Sequence, residues 1–291
     1  MATNYYCLVA SLREYQLDGD LKGFDAKGII EEIAGELVKA DRKALGAFLL
    51  YHDVCNLVNL RAGREAFSSL GNFSREELTE ELENPTLLPA ELAEVIALYG
   101  EVAKEEVDAD DPRLARVNVD APFERELFAA YYRYCATSGC RFVREWAEAD
   151  RNLRNISVAL TAKRKGLSVG ERLVGGGDIV AQLQRSSAAD FGLKGEVGYI
   201  DTLIGALSEG DNLLDKEHRI DLIRWNMAEE LATFDYFNIN MLLSYVARLC
   251  LVHRWAMLDG ERGREMFRKL VSSLGAGDKI AEAEKRYAEE R

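Results

Sequence analysis

Three histidines and five cysteines are the first places to look for chemistry in this sequence. A di-metal centre in a helical bundle needs glutamates from two helices and two Glu-x-x-His pairs. Only Asp215 with His218 comes near that pattern, and His52 and His253 lie elsewhere, as core or helix-edge histidines would. Cysteine nucleophile chemistry needs a nearby histidine. Cys250 and His253 are the one close pair, within one turn of an apolar stretch where packing accounts for them. Gly175-Gly176-Gly177 is not followed by Lys-Ser or Lys-Thr, and Asp178 would repel a phosphate, so it reads as a turn. Asp108, Asp110 and Asp111 match half of the aspartate-rich magnesium motif of helical prenyl-transfer enzymes, but Pro112 follows and no second cluster pairs with them. No Gly-x-Ser-x-Gly elbow is present. The expectation is a chain without a catalytic site, bound metal or cofactor.

A different polar pattern recurs. Asp53-Val-Cys-Asn56-Leu57, Asn152-Leu-Arg-Asn155-Ile156 and Asp235-Tyr-Phe-Asn238-Ile239 each place Asp or Asn three residues before Asn, with an aliphatic residue next. Residues three apart share a helix face, so each pair would offer carboxylate or amide groups to a neighbouring backbone. Buried polar groups must find partners, and such a pair would fix helix register. The sites recur about 100 and then about 80 residues apart, consistent with three related units, although chance matches of so short a pattern also occur.

The elements that must hold these pairs are long helices. Phe142, Trp146, Ala149, Leu153, Ile156 and Leu160 step by threes and fours along one helix face. Gly166 supplies a stop, and Ser168 with Glu171 matches a capping box opening the next helix, as does Ser74 with Glu77. Leu45, Leu49, His52, Asn56 and Leu60 make a shorter stripe. Met227, Leu231, Phe234, Asn238, Met241, Tyr245, Leu249, Val252 and Ala256 predict one helix of roughly eight turns. All four prolines fall between Pro85 and Pro122. The same window is acidic, with thirteen carboxylates from Glu76 to Asp111 against Arg75 and Lys104, and reads as a solvated connection with short helices. Tyr5–Leu12, before the turn-like Leu17-Asp18-Gly19-Asp20, has room for one short strand.

At 291 residues, 48% apolar and 30% charged, the chain is an ordinary globular protein with ample core. The opening MATNYYCLVASLREY has neither the basic start nor the apolar run of a signal peptide. Met241–Leu258 carries Arg248, His253 and Arg254, which makes it a buried soluble helix rather than a membrane span. An odd number of irregularly spaced cysteines argues for reduced thiols. A formal charge of −13 argues against nucleic acid as a partner. The fold class expected is therefore all-α with at most that short N-terminal strand.

The stretch from Phe142 to Gly166, followed by Leu173-Val-Gly-Gly-Gly177, resembles the central signature of the V/A-type ATPase C subunit, called d in eukaryotes. Thr161 and Asn152 stand where that family usually has Arg and Asp. Asn4–Leu12 and Ser244–Trp255 resemble a bacterial family of unknown function associated with V-type ATPase operons that lack an obvious C subunit. The resemblance implies a funnel of three pseudo-repeated helical units, set at 1–105, 106–195 and 196–291 and together forming one compact protein. It implies a non-catalytic rotor adaptor with the central-stalk subunits and the membrane proteolipid ring as partners, cytoplasmic and peripheral at the inner membrane face through protein contacts only. Arg141, Arg144, Arg151, Arg154, Lys163, Arg164 and Lys165 are candidates for contact with an acidic stalk face, a solvated helix face being the plain alternative. A helical enzyme or cofactor binder with an unrecognised site, or an unrelated helical scaffold, is the competing class.

Overall fold

A computed structural model describes residues 3–17, 19, 24–108, 110–208 and 212–258. The described residues form eleven α-helices and no strand. In chain order these are α1 (Tyr6–Ser11), α2 (Ala26–Glu36), α3 (Lys39–Arg61), α4 (Arg75–Glu83), α5 (Ala90–Val102) and α6 (Phe123–Ala136), followed by α7 (Arg141–Arg164), α8 (Asp178–Arg185), α9 (Ile200–Ser208), α10 (Leu213–Glu230) and α11 (Ile239–Met257). Asp18 and Asp20 of the expected turn, and the third expected unit beyond Leu258, lie outside the described residues.

The N-terminal segment expected as a strand is helix α1. An isolated strand among helices would leave a row of peptide groups without partners, whereas a helix satisfies them locally. Leu8, Val9 and Leu12, which lean on the core, have helical spacing rather than alternation. Tyr5 anchors the segment: its hydroxyl reaches Asp41 at 2.5 Å, and its N–H donates to the Phe237 carbonyl at 2.6 Å.

Helices α3 and α7 are the long rods of the molecule, and they end alike. Arg64 N–H returns to Asn59 O and Gly63 N–H to Leu60 O; Leu167 N–H returns to Ala162 O and Gly166 N–H to Lys163 O. Gly63 and Gly166 take φ of 67° and 65°, the left-handed turn that closes such caps. Ser74 and Glu77 form the reciprocal capping box expected of them at the start of α4. Ser168 and Glu171 do not: Gly170–Arg172 is one 3₁₀ turn without a side-chain cap, and α8 begins later, after Gly177.

Two further expectations are corrected. The acidic window does hold short helices, α4 and α5, but their Leu78, Leu92, Val95, Ile96 and Leu98 are buried in the main core, so it is no solvated connection; most of its carboxylates face outward, while Glu81 is buried and accepts the N–H groups of Thr86, Leu87 and Leu88. The stripe from Met227 to Ala256 is two helices. The chain leaves α10 after Glu230, turns through 231–238 and re-enters a helix as α11. Asp and Asn side chains compete with helical hydrogen bonding, and here they do so: Asn238, in extended conformation, accepts the N–H groups of Asn240 and Met241 and caps α11.

Buried apolar residues form two clusters. The larger takes residues from α2 to α6, the first half of α7 and α11; the smaller takes the second half of α7, α8, α9 and α10. Helix α7 runs through both, with Phe142, Val143 and Ala147 in the first and Leu153, Ile156 and Ala159 in the second. No helix among the described residues is long and apolar enough to cross a membrane.

Candidate functional site

The recurring polar pairs resolve into one device used twice and one different arrangement. Asn56, fully buried on α3, donates from Nδ2 to Ser68 O (2.9 Å) and accepts Ser68 N–H on Oδ1 (2.7 Å). Asn155, fully buried on α7, does the same to Val174, at 2.9 and 2.8 Å. In each case an amide side chain pairs with the N–H and C=O of one residue as a second strand would, clamping the segment that follows the helix.

The residues three before them diverge. Asp53 accepts N–H groups of Asn72 (2.9 Å) and Phe73 (3.2 Å) and the Asn72 side-chain amide (2.7 Å). Burial nonetheless holds its carboxyl above the usual range, those donors pulling the other way. Asn152 has no comparable role; its Oδ1 is buried without a partner. Asp235 and Asn238 do not share a helix face, because the helix is broken there. Asp235 instead accepts from the Asn238 and Asn240 side chains and pairs with Arg141. Asn240 Oδ1 accepts the Phe142 N–H at 3.3 Å. This third pair thus ties the start of α11 to the start of α7.

The starts of three long helices meet at one end. Tyr5 bridges the first turn of α3 to the residue two before α11, and Asn240 bridges α11 to α7. Tyr51, Arg154 and His253 stand between three and four turns along α3, α7 and α11, roughly 20 Å from that end. Tyr51 lies beside Cys55, Asp150, Arg224 and Arg154 in its electrostatic surroundings. Burial pushes the Tyr51 hydroxyl well up and the Cys55 thiol to about 11. His52 is pushed down to about 4, by burial first and then by His253. Yet Tyr51, His52, Cys55, Arg154, Arg224 and His253 are only half-buried. These side chains combine strong desolvation with partial exposure to solvent. With Cys55 held as a thiol and His52 neutral at pH 7, neither is primed as nucleophile or acid.

Beside these side chains runs an ionic chain between the two cores, with Asp150 and Asp221 buried and Arg254 at its outer end. The Tyr132 hydroxyl donates to Asp150 (2.7 Å), Arg224 donates to Asp150 (3.1 Å) and Asp221 (2.8 Å), and Arg254 and Trp255 donate to Asp221 (2.6 and 2.9 Å). Burial works against the charge of Arg224, but Asp150 and Asp221 outweigh it and keep the guanidinium protonated. This chain was not anticipated. Asp150, beside the apolar seam of α7, was its one visible signal.

The basic stretch of α7 is largely occupied within the protein. Arg141 pairs with Glu145 and Asp235, Arg144 donates to Ser138 O (2.6 Å), and Arg154 pairs with Glu124 (2.9 Å) over the Phe128 ring. Lys163 donates to Ser187 O (2.6 Å) and Arg164 to Leu207 O, while Lys165 is exposed. Arg151 runs along the glycine turn at Gly175 and Gly177 and reaches Glu148 at 3.8 Å. Asp111 caps the 3₁₀ turn at Pro112 and pairs with Arg113. Among the described residues, no three His, Cys, Asp or Glu side chains converge as a metal ion would need.

Residues 1–278 match the model of a family described as a protein of unknown function, DUF2764. No curated protein and no solved structure matches the chain.

Proposed function

The chain belongs to the DUF2764 family, and we propose that it is a non-catalytic rotor adaptor linking the central stalk of a V/A-type ATPase to the membrane proteolipid ring. The observation that carries this reading is the repeated amide clamp. Two long helices each lock the segment after them with the same pair of hydrogen bonds and end in the same glycine cap, as units of a repeated part would. The second clamp lies inside the stretch that resembles the C-subunit signature.

A part that passes torque must hold helix register under load. A buried amide has its partners in one register only, so a slip would strand polar groups in the core. Helices α3, α7 and α11 supply rods that start from a common end. In this reading the units at 1–105, 106–195 and 196–291 form a funnel that receives the stalk, and ATP hydrolysis belongs to partner subunits. The protein works at the inner membrane face, where its charge of −13 complements the basic loops of a membrane ring.

The test is retention of partners. Full-length tagged chain recovered from host membranes in mild detergent should carry stalk and ring subunits, identified by mass spectrometry. Recovery of neither at low salt overturns the reading. A roughly tenfold rise in ionic strength should loosen the ring contact, and unchanged retention would remove the charge account.

A further inference from the structure

Every large aromatic side chain that is exposed among the described residues lies at one end of the protein. Phe234 is 89% exposed, Tyr236 66%, Tyr6 57% and Phe237 39%. They surround the shared starts of α3, α7 and α11, where Val38 is exposed as well. Tyr6 stands 4.6 Å from Phe237, ring centre to ring centre, and Tyr236 stands 6.5 Å from Phe237.

The loop that presents Phe234, Tyr236 and Phe237 is built to be rigid. Asp235, between Phe234 and Tyr236, turns inward, with only 12% of its side chain exposed, onto Arg141, Asn238 and Asn240. Arg141 also donates to the Leu231 carbonyl (3.0 Å), and the Phe237 carbonyl accepts from Tyr5. The one acid inside the aromatic run is therefore neutralised, and the exposed residues of the run itself are its three rings.

We propose that this aromatic end is a membrane-contact surface, with Phe234, Tyr236, Phe237 and Tyr6 entering the headgroup–acyl boundary of a bilayer. Three considerations favour lipid over a second copy of this chain. The four rings expose about 500 Å² in all, judged from their exposure and the area of a Phe or Tyr side chain. A stable dimer needs roughly 800 Å² from each partner, more than the rings by themselves supply. Phe234 projects almost free of its neighbours, so a second copy would meet it knob against knob, whereas a bilayer requires no matching hole. Phe and Tyr on a pre-ordered loop lose little freedom on insertion, and tyrosine suits a boundary with one end apolar and the other wet. The surface is independent of the rotor reading, because lipid alone satisfies it.

Full-length protein mixed with sucrose-loaded phosphatidylcholine vesicles tests the inference by co-sedimentation. The parent should sediment with the vesicles and remain bound when salt is raised. Phe234→Ser with Tyr236→Ser should lower the bound-to-free ratio at least tenfold, with an unchanged circular-dichroism melt. Phe234→Trp with Tyr236→Trp should bind like the parent. The proposal is overturned if the parent stays in the supernatant, if the serine variant sediments as well as the parent, or if salt abolishes binding. It is overturned too if the parent is a dimer that the serine variant converts to monomer. Failure here leaves the stalk and ring pull-down unaffected, and the reverse holds.

Discussion

Replacing Asn155 by leucine should unlock the segment at Val174, while the same change at Asn152, three residues earlier on the same helix, should not. Asn155 is fully buried and forms both of its hydrogen bonds with the backbone N–H and C=O of Val174, itself buried. Leucine would leave that N–H and C=O without partners, at about 1–3 kcal/mol each. Removing a polar group from the core returns part of this, so the net loss should be about 2–4 kcal/mol. Asn152 Oδ1 is buried with no partner, so a leucine there removes a cost and should change stability by no more than about 1 kcal/mol in either direction. Urea unfolding followed by circular dichroism measures both. The midpoint of Asn155→Leu should fall with an unchanged slope, and hydrogen exchange at the Val174 amide should lose its protection. If Asn155→Leu lies within about 0.5 kcal/mol of the parent, or Asn152→Leu costs as much as Asn155→Leu, the clamp does not hold this region.

Gly71→Ala should destabilise by about 2–4 kcal/mol, read as a lower thermal midpoint. A Cβ at Gly71 would sit 2.2 Å from Asp53 Oδ1, and three N–H donors hold that carboxylate in place. His52 should make stability depend on pH. Its folded pKa, about 4, lies below the ordinary value of 6.5, so the unfolded chain binds the proton more readily between the two. Stability is then complete above about pH 6.5 and is lost as pH falls toward 4, on the order of 2 kcal/mol by pH 5. Urea melts at pH 7 and pH 5 should show a smaller difference for His52→Gln than for the parent, and equal differences would remove His52 as the cause. Asp53, raised by burial, titrates in the opposite sense, so the variant comparison is what isolates the histidine.

What the sequence determined by itself is what depends on neighbours a few residues away. The stripes of α3 and α7, the capping box at Ser74 and Glu77 and the stop at Gly166 all follow from 3.6-residue periodicity and local hydrogen bonding. The same periodicity misled between Met227 and Ala256, because two helices joined by a turn happened to keep one phase; Asn238 carried the break, and Asn is equally at home capping a helix or buried within one. Asn56 and Asn155 were legible as residues that need partners. Which peptide units would answer them was not, since Ser68 and Val174 arrive through the course of the chain beyond each helix. Tertiary structure alone decided the half-buried group that α3, α7, α10 and α11 bring together, from Tyr51 to His253, and the ionic chain beside it. It also decided that Phe234, Tyr236 and Phe237 face solvent. Phe and Tyr among helices read as core in any one-dimensional pattern, because exposure is a property of what packs nearby and not of the residue.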